Sequence, residues 1–198
     1  MENDTADQKQ EPFAAFKKLN LCIGTVVSVE DHPDAERLYI LKVDIGEEEP
    51  RIVVTNIKSF YAPEKMLGRK LLIIANLKPA NFRGVKSFGM LMAAEDMDMG
   101  GNSLLLLDPS CDVPNGTVMN SGLENTDSRV DMKHLEKVCI KVAKVVDGKF
   151  LGMDITLPEN APECVAAVID DGKALVLGDG KECVMTVSGE IMDGAPAL

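Results

Sequence analysis

Between Lys65 and Ser87 the chain carries six of its 21 basic residues and none of its 32 acidic ones. Within that stretch Lys78, Arg83 and Lys86 can each neutralise a phosphate, and the arginine fork can grip one with two hydrogen bonds. Ser87 adds a hydroxyl suited to a phosphate or a ribose 2′-OH. Asn76 and Asn81 bring amides that read a base edge or cap a turn, and Phe82 brings a ring on which a base can stack. Gly84 permits positive φ or close backbone approach, and Pro79 stiffens the approach to the loop. Charge alone favours a plainer reading, a solvated face between two strands. Arg69 and Lys70 likewise suit the end of a short helix.

Two apolar runs must hold this basic segment in place. Leu71 to Ala75 precedes it and Met90 to Ala94 follows it, so it reads as a loop between buried strands. The net charge of −11 excludes a generally basic nucleic-acid binder. A localised basic site survives that exclusion, because screening limits distant charges to about 8 Å at physiological salt. Aromatic residues make up 4% of the chain and Trp is absent, which argues against an extended stacking platform. The chain has no 18-residue apolar run and no apolar core near its start, so neither a membrane span nor a secretion signal is expected. Five cysteines without C-x-x-C spacing fit a reducing compartment, and a cytoplasmic location is expected.

No catalytic constellation emerges, and no cofactor is expected. Gly84-Val85-Lys86-Ser87 echoes a phosphate loop without its spacing. His32 stands with Asp31, Asp34 and Glu36 on one short loop, with no second His or Cys nearby, so no metal site is expected. A turn capped by Asp34 is the better reading. Cys164 and Cys183 are candidates for cross-strand neighbours, with buried free thiols as the default.

Taken in order, residues 1–12 are polar and read as a disordered tail or linker, followed by a short helical lead-in at Phe13–Leu19. Alternation predicts strands at Leu21–Glu30 and Leu38–Ile45, with Leu21, Ile23, Thr25, Val27 and Val29 on the core face of the first. Gly24 signals a bulge or close approach. Further strands are predicted at Arg51–Thr55, Lys70–Ala75 and Met90–Ala94, with a short helix behind Pro63. Three strands, a short helix and two strands is the order of a five-stranded OB barrel. A polar stretch between Asn120 and Met132 marks a boundary. Beyond it, strands at Val138–Val146, Cys164–Ile169, Ala174–Leu177 and Cys183–Val187 alternate with Asp-Gly or Gly-Asp turns. The fold class is therefore all-β, with an OB domain over 17–120 and a small β-rich subdomain over 131–198.

Asn76-Leu77-Lys78-Pro79-Ala80, Arg83-Gly84-Val85-Lys86-Ser87 and Gly89 to Ala94 together resemble the signature of the tRNA-binding OB-fold family. That family includes the C-terminal appendages of methionyl- and tyrosyl-tRNA synthetases and endothelial monocyte-activating polypeptide II. His32-Pro33-Asp34-Ala35-Glu36-Arg37-Leu38 resembles the family loop before the second strand, and Val43 to Glu47 with Pro50 to Val54 resembles its next hairpin. The resemblance implies a non-catalytic module that binds tRNA and assists or is appended to an aminoacyl-tRNA synthetase. It places Ser87 and Met90 at a tRNA contact, beside Lys78, Asn81, Arg83, Lys86, Asn76 and Arg69. More weakly, Glu163 to Ala166 with Cys183 to Thr186 resembles the extra subdomain of the polypeptide II branch. That implies a monomer in which this subdomain stands in for a second protomer. Phe88 replaces a polar residue, often Gln, and Thr55-Asn56 replaces Ser-Gly; Leu21 to Thr25 lacks the Arg tied to cytokine activity. The alternatives are a docking scaffold for a multi-synthetase complex and an OB-fold binder of other single strands.

Overall fold

The computed structural model describes Glu11, residues 13–96 and residues 103–198. The tail expected over 1–12 lies, apart from Glu11, outside the described residues. Alternating apolar residues make β1 (Leu21–Asp31), β2 (Tyr39–Asp44) and β3 (Arg51–Thr55). Pro63 opens a one-turn helix, α1 (Pro63–Met66), and β4 (Lys70–Ile74) follows. Next come β5 (Ala80–Phe82), β6 (Val85–Ser87), β7 (Met90–Leu91), β8 (Ala93–Asp96) and β9 (Ser103–Pro109). The first sheet is antiparallel in the order β3-β2-β1-β4-β7. Its two ends approach each other. Phe88 N–H donates to Ile52 O at 2.8 Å, and Val54 N–H to Ser87 Oγ at 3.0 Å. The sheet is therefore barrel-like, with the expected sequence of strands and short helix.

The two faces of β1 differ from the expectation. Cys22 and Val26 point into the barrel with Tyr39, Leu41, Val43 and Ile45 of the neighbouring strand and loop. Leu21 and Ile23, expected inside the barrel, instead lie in a second core with Leu72, Ile74, Met119 and Ile140. Val27 is 46% exposed. Alternation identifies a strand but not which parity faces which layer, and here both faces of the first half are covered. A register shift between Val26 and Ser28 then turns the second half. Gly24 makes the close approach expected of it: a Cβ there would sit 2.6 Å from Val43 Cγ1 and 2.7 Å from Ile45 Cγ2.

The expected strand Met90–Ala94 is broken at Met92. Met92 N–H donates to Leu72 O while its carbonyl accepts from Leu107 N. The chain thus leaves the β4 edge and, as β8, pairs with β9 in a separate sheet. Past a short helix α2 (Met132–Leu135), whose N-cap Asp131 accepts from His134 N–H, come β10 (Cys139–Val146), β11 (Lys149–Phe150), β12 (Met153–Asp154), β13 (Cys164–Asp170), β14 (Lys173–Val176), β15 (Met185–Val187) and β16 (Ala195–Pro196). Two-residue Asp-Gly turns join β10 to β11 and β13 to β14, with Asp147 and Asp171 at φ 51° and 46°. The second core draws on both ends of the chain, from Phe16 and Leu19 to Leu177 and Ala197.

Candidate nucleic-acid interface

The basic segment is not an open loop but a hairpin. Ala80 pairs with Ser87 and Phe82 with Val85, leaving Arg83-Gly84 as a two-residue turn. Both turn residues have positive φ, 48° and 94°, as a type I′ turn requires. Glycine adopts that conformation freely and arginine does not. Three contacts hold it. Gly84 N–H donates to Asn81 Oδ1 at 2.8 Å, and Arg83 Nη1 donates to Asp34 O at 2.7 Å. The third is His32, 4% exposed, whose Nε2 lies 2.8 Å from Phe82 O. Asp34 N–H donates to His32 Nδ1 at 3.1 Å, so the proton on the ring belongs to Nε2 and is given to the Phe82 carbonyl. The His32–Asp34 loop is thus a brace for the hairpin.

The base of the hairpin is fixed differently. Ser87, 4% exposed, accepts from Val54 N–H and donates to Gly89 O at 2.9 Å. Arg51 reaches the Ala75 carbonyl and, at 3.2 Å, the Phe88 carbonyl, while its other nitrogens bind Glu47. That ion pair holds the Glu47 carboxyl below its ordinary range, the charge-assisted hydrogen bond from Arg51 outweighing desolvation. Asn76, 8% exposed, ties three segments: its Oδ1 accepts from Asn20 N–H, and its Nδ2 donates to Lys18 O and Ser128 O, all at 2.8 Å.

These contacts sort the eight candidate residues. Lys78, Asn81, Arg83 and Lys86 are exposed on or beside the hairpin, and Met90 is half-buried next to it. Ser87 is at the same place but turned inward, and Asn76 is occupied beneath it. Arg69 is elsewhere in its chemistry: it grips Asp108 bidentately at 2.8 Å and lies over the Tyr61 ring. Lys70 is likewise paired with Asp112. Among the described residues neither Arg83 nor Lys86 meets a carboxylate, whereas Lys78 lies 3.6 Å from Asp131. Asp131 is held below its ordinary range, first by the hydrogen bond from His134 N–H and then by Lys78.

Under the hairpin runs a cleft of about 900 Å³. Its floor is apolar, with Leu38, Ile57, Leu77 and Leu91, and Met90 and Phe82 border it. Thr55, Asn56 and, from α2, Met132 and Lys133 also line it. Phe82 and Phe88 expose 38% and 40% of their surface. Sequence reading missed Lys133 and gave Asn56 no contact of its own. The available signal for α2 was Asp131 as a helix cap, which places Lys133 in the first turn. Among the described residues no group of three or more His, Cys, Asp or Glu is placed to hold a metal ion.

Residues 21–118 match a family model described as "Putative tRNA binding domain". A 104-residue segment is 47% identical to the methionine–tRNA ligase of Thermococcus kodakarensis, covering 52% of this chain and 13% of that protein. A 149-residue segment is 33% identical to the cytoplasmic tyrosine–tRNA ligase of Xenopus laevis, covering 70% of this chain and 28% of that protein. The chain thus spans little more than a quarter, at most, of these curated relatives. The C-terminal domain of Plasmodium vivax p43 shares the fold with a TM-score of 0.57, at 23% identity, over 87% of this chain and 98% of that one.

Proposed function

The chain belongs, through residues 21–118, to the tRNA-binding domain family, and from that premise we propose that it holds tRNA on the face made by the β5–β6 hairpin and the cleft beneath it. The observation that carries this reading is the presence of Arg83 and Lys86, free of carboxylate partners among the described residues, on a braced hairpin above an apolar cleft. Lys78, Arg83 and Lys86 take phosphates. Asn81 shapes the turn, and Phe82 and Met90 offer apolar contact to an unstacked base. Ser87 and Asn76 act through the scaffold: each holds the hairpin base rather than the ligand. Arg69 contributes little to RNA while Asp108 neutralises it. No reaction is assigned to this site. It serves as an accessory that increases the hold of an aminoacyl-tRNA synthetase on tRNA, a role supported by the kinds of protein in which similar segments occur.

The acidic remainder of the chain repels RNA elsewhere and concentrates contact on this face. Three neutralised phosphates correspond to a slope of about −2 to −3 in log affinity against log salt. Fluorescence anisotropy with tRNA and with an unstructured oligonucleotide, across a salt series, tests the reading. Tighter binding of tRNA with that slope supports it. No binding, or equal binding of both, would redirect it to a docking scaffold or a general single-strand binder.

A further inference from the structure

Two cysteines far apart in sequence come together just beyond the paired ends of two adjacent strands. β15 pairs with β9 so that Met185 faces Pro109 and Thr186 faces Asp108. Ser110 N–H donates to Val184 O at 2.8 Å, which carries the register one residue beyond the strand. The next step places Cys111 opposite Cys183. The hydrogen-bonding groups of Cys183 turn the other way: its N–H donates to Asp179 Oδ1 at 3.1 Å and its carbonyl accepts from Asp179 N–H at 2.9 Å. Both residues lie just outside the strands, and the register extended to them gives a pair of the non-hydrogen-bonded kind, in which opposed side chains lie closest. The Cys183 side chain reaches the partner residue directly: its Sγ donates to the Cys111 carbonyl at 3.6 Å. Cys164 was only a candidate cross-strand neighbour of Cys183, with buried free thiols as the default. The strand Met185–Val187 joins β9 instead, and Cys164 begins β13.

We propose that Cys111 and Cys183 form a reversible cross-strand disulfide by exchange with a low-molecular-weight disulfide such as oxidised glutathione. The geometry assigns the two partners different parts. Cys111 is exposed and Cys183 is 1% exposed. The Cys111 thiolate attacks the glutathione disulfide, forming a mixed disulfide and releasing one glutathione thiolate. The Cys183 thiolate then attacks the Cys111 sulfur and releases the second glutathione. Two protein thiols are oxidised, one small disulfide is reduced to two thiols, and no other oxidant enters. Directly opposed strand residues lie about 4.5–5.5 Å apart at Cα, within the range of about 4.4–6.8 Å that a disulfide spans. The bond needs little backbone movement.

The pair rests as a dithiol under reducing conditions. Desolvation, the hydrogen bond with Cys183 and the Asp179 and Glu182 carboxylates push the Cys111 thiol up. A scarce thiolate makes closure slow. Once closed, the bond links the chain just after β9 to the turn before β15, so the C-terminal segment is covalently held against the strand that β8 and β15 share.

Peptide mapping without reduction, after the full chain is incubated with oxidised glutathione, tests this. A linked pair of peptides containing Cys111 and Cys183 is expected, with a higher melting temperature that dithiothreitol reverses. Cys111→Ser, a surface change, should abolish the link. Cys183→Ser should leave glutathione trapped on Cys111. Persistent free Cys183 beside glutathionylated Cys111 in the unsubstituted chain would overturn the proposal, as would linkage of Cys183 to Cys164 or Cys139.

Discussion

The ring of His32 donates from Nε2 to the backbone carbonyl of Phe82, fifty residues away, while its Nδ1 accepts from Asp34 N–H. One buried side chain thereby couples the loop between β1 and β2 to the hairpin that carries Arg83 and Lys86. Replacing His32 with Ala removes its hydrogen bonds to the Phe82 carbonyl and the Asp34 N–H, a cost of about 0.5–1.5 kcal/mol for each. Binding of tRNA should weaken several-fold through a looser hairpin. The slope of affinity against salt should stay unchanged, because no phosphate contact is lost. A changed slope would show that His32 acts on phosphate directly.

Ser87 makes a contrasting prediction. Ser87→Ala strips the buried Val54 N–H of its acceptor and should lower unfolding stability by about 1–3 kcal/mol. A chemical denaturation series measures this. If Ser87→Ala melts like the parent yet loses tRNA, the hydroxyl meets RNA and not the scaffold.

Lys86 is exposed and among the described residues has no carboxylate partner. Lys86→Glu should weaken tRNA binding and reduce the salt slope by about 1, with little effect on melting. Arg69→Glu would instead set two carboxylates together at Asp108. It should therefore destabilise the fold, and comparing the two melting curves separates the roles.

Gly24→Ala puts a methyl 2.6 Å from Val43 Cγ1 and 2.7 Å from Ile45 Cγ2, inside the barrel layer. Overpacking of this kind costs about 1–3 kcal/mol. Differential scanning calorimetry should show the loss. A melting point equal to the parent's would mean that β2 can shift outward at no cost.

The Glu47–Arg51 pair carries a pH dependence. The native carboxyl of Glu47 lies below its value in the unfolded chain, so its stabilisation is present above the ordinary carboxylate range. It disappears as pH falls from about 4.5 through the lower native value. Glu47 is largely exposed, so the effect is under about 1 kcal/mol. Glu47→Gln should remove that part of the acid limb and leave stability near neutrality only slightly reduced.

Much of the fold was legible. Period-two alternation located β2 to within a residue at each end, the strand expected at Arg51–Thr55 is β3, and Pro63 marked α1. The Asp-Gly pairs at Asp147 and Asp171 marked two tight turns, because few residues other than Gly, Asn and Asp accept positive φ. The hairpin was less legible. Arg83 carries no local signal for positive φ, and its conformation is held by Asp34 and Asn81 from outside the turn itself. The interruption at Met92 was invisible for a similar reason. Nothing in an apolar run says at which residue it changes partner strand.

The order of residues by itself determined a β-rich chain, the location of its turns and a concentration of positive charge between Lys65 and Ser87. Those properties depend on local propensity, periodicity and composition, which each segment carries alone. Only the tertiary structure decided which charges remain available. Arg69 and Lys70 are neutralised by acids about forty residues away, and Asn76 and Ser87 are turned inward by backbone groups that need partners. It also decided that Cys183 meets Cys111 and that Leu21 faces the second core. Pairing across long separations depends on which surfaces the folded chain brings together, and no single segment contains that information.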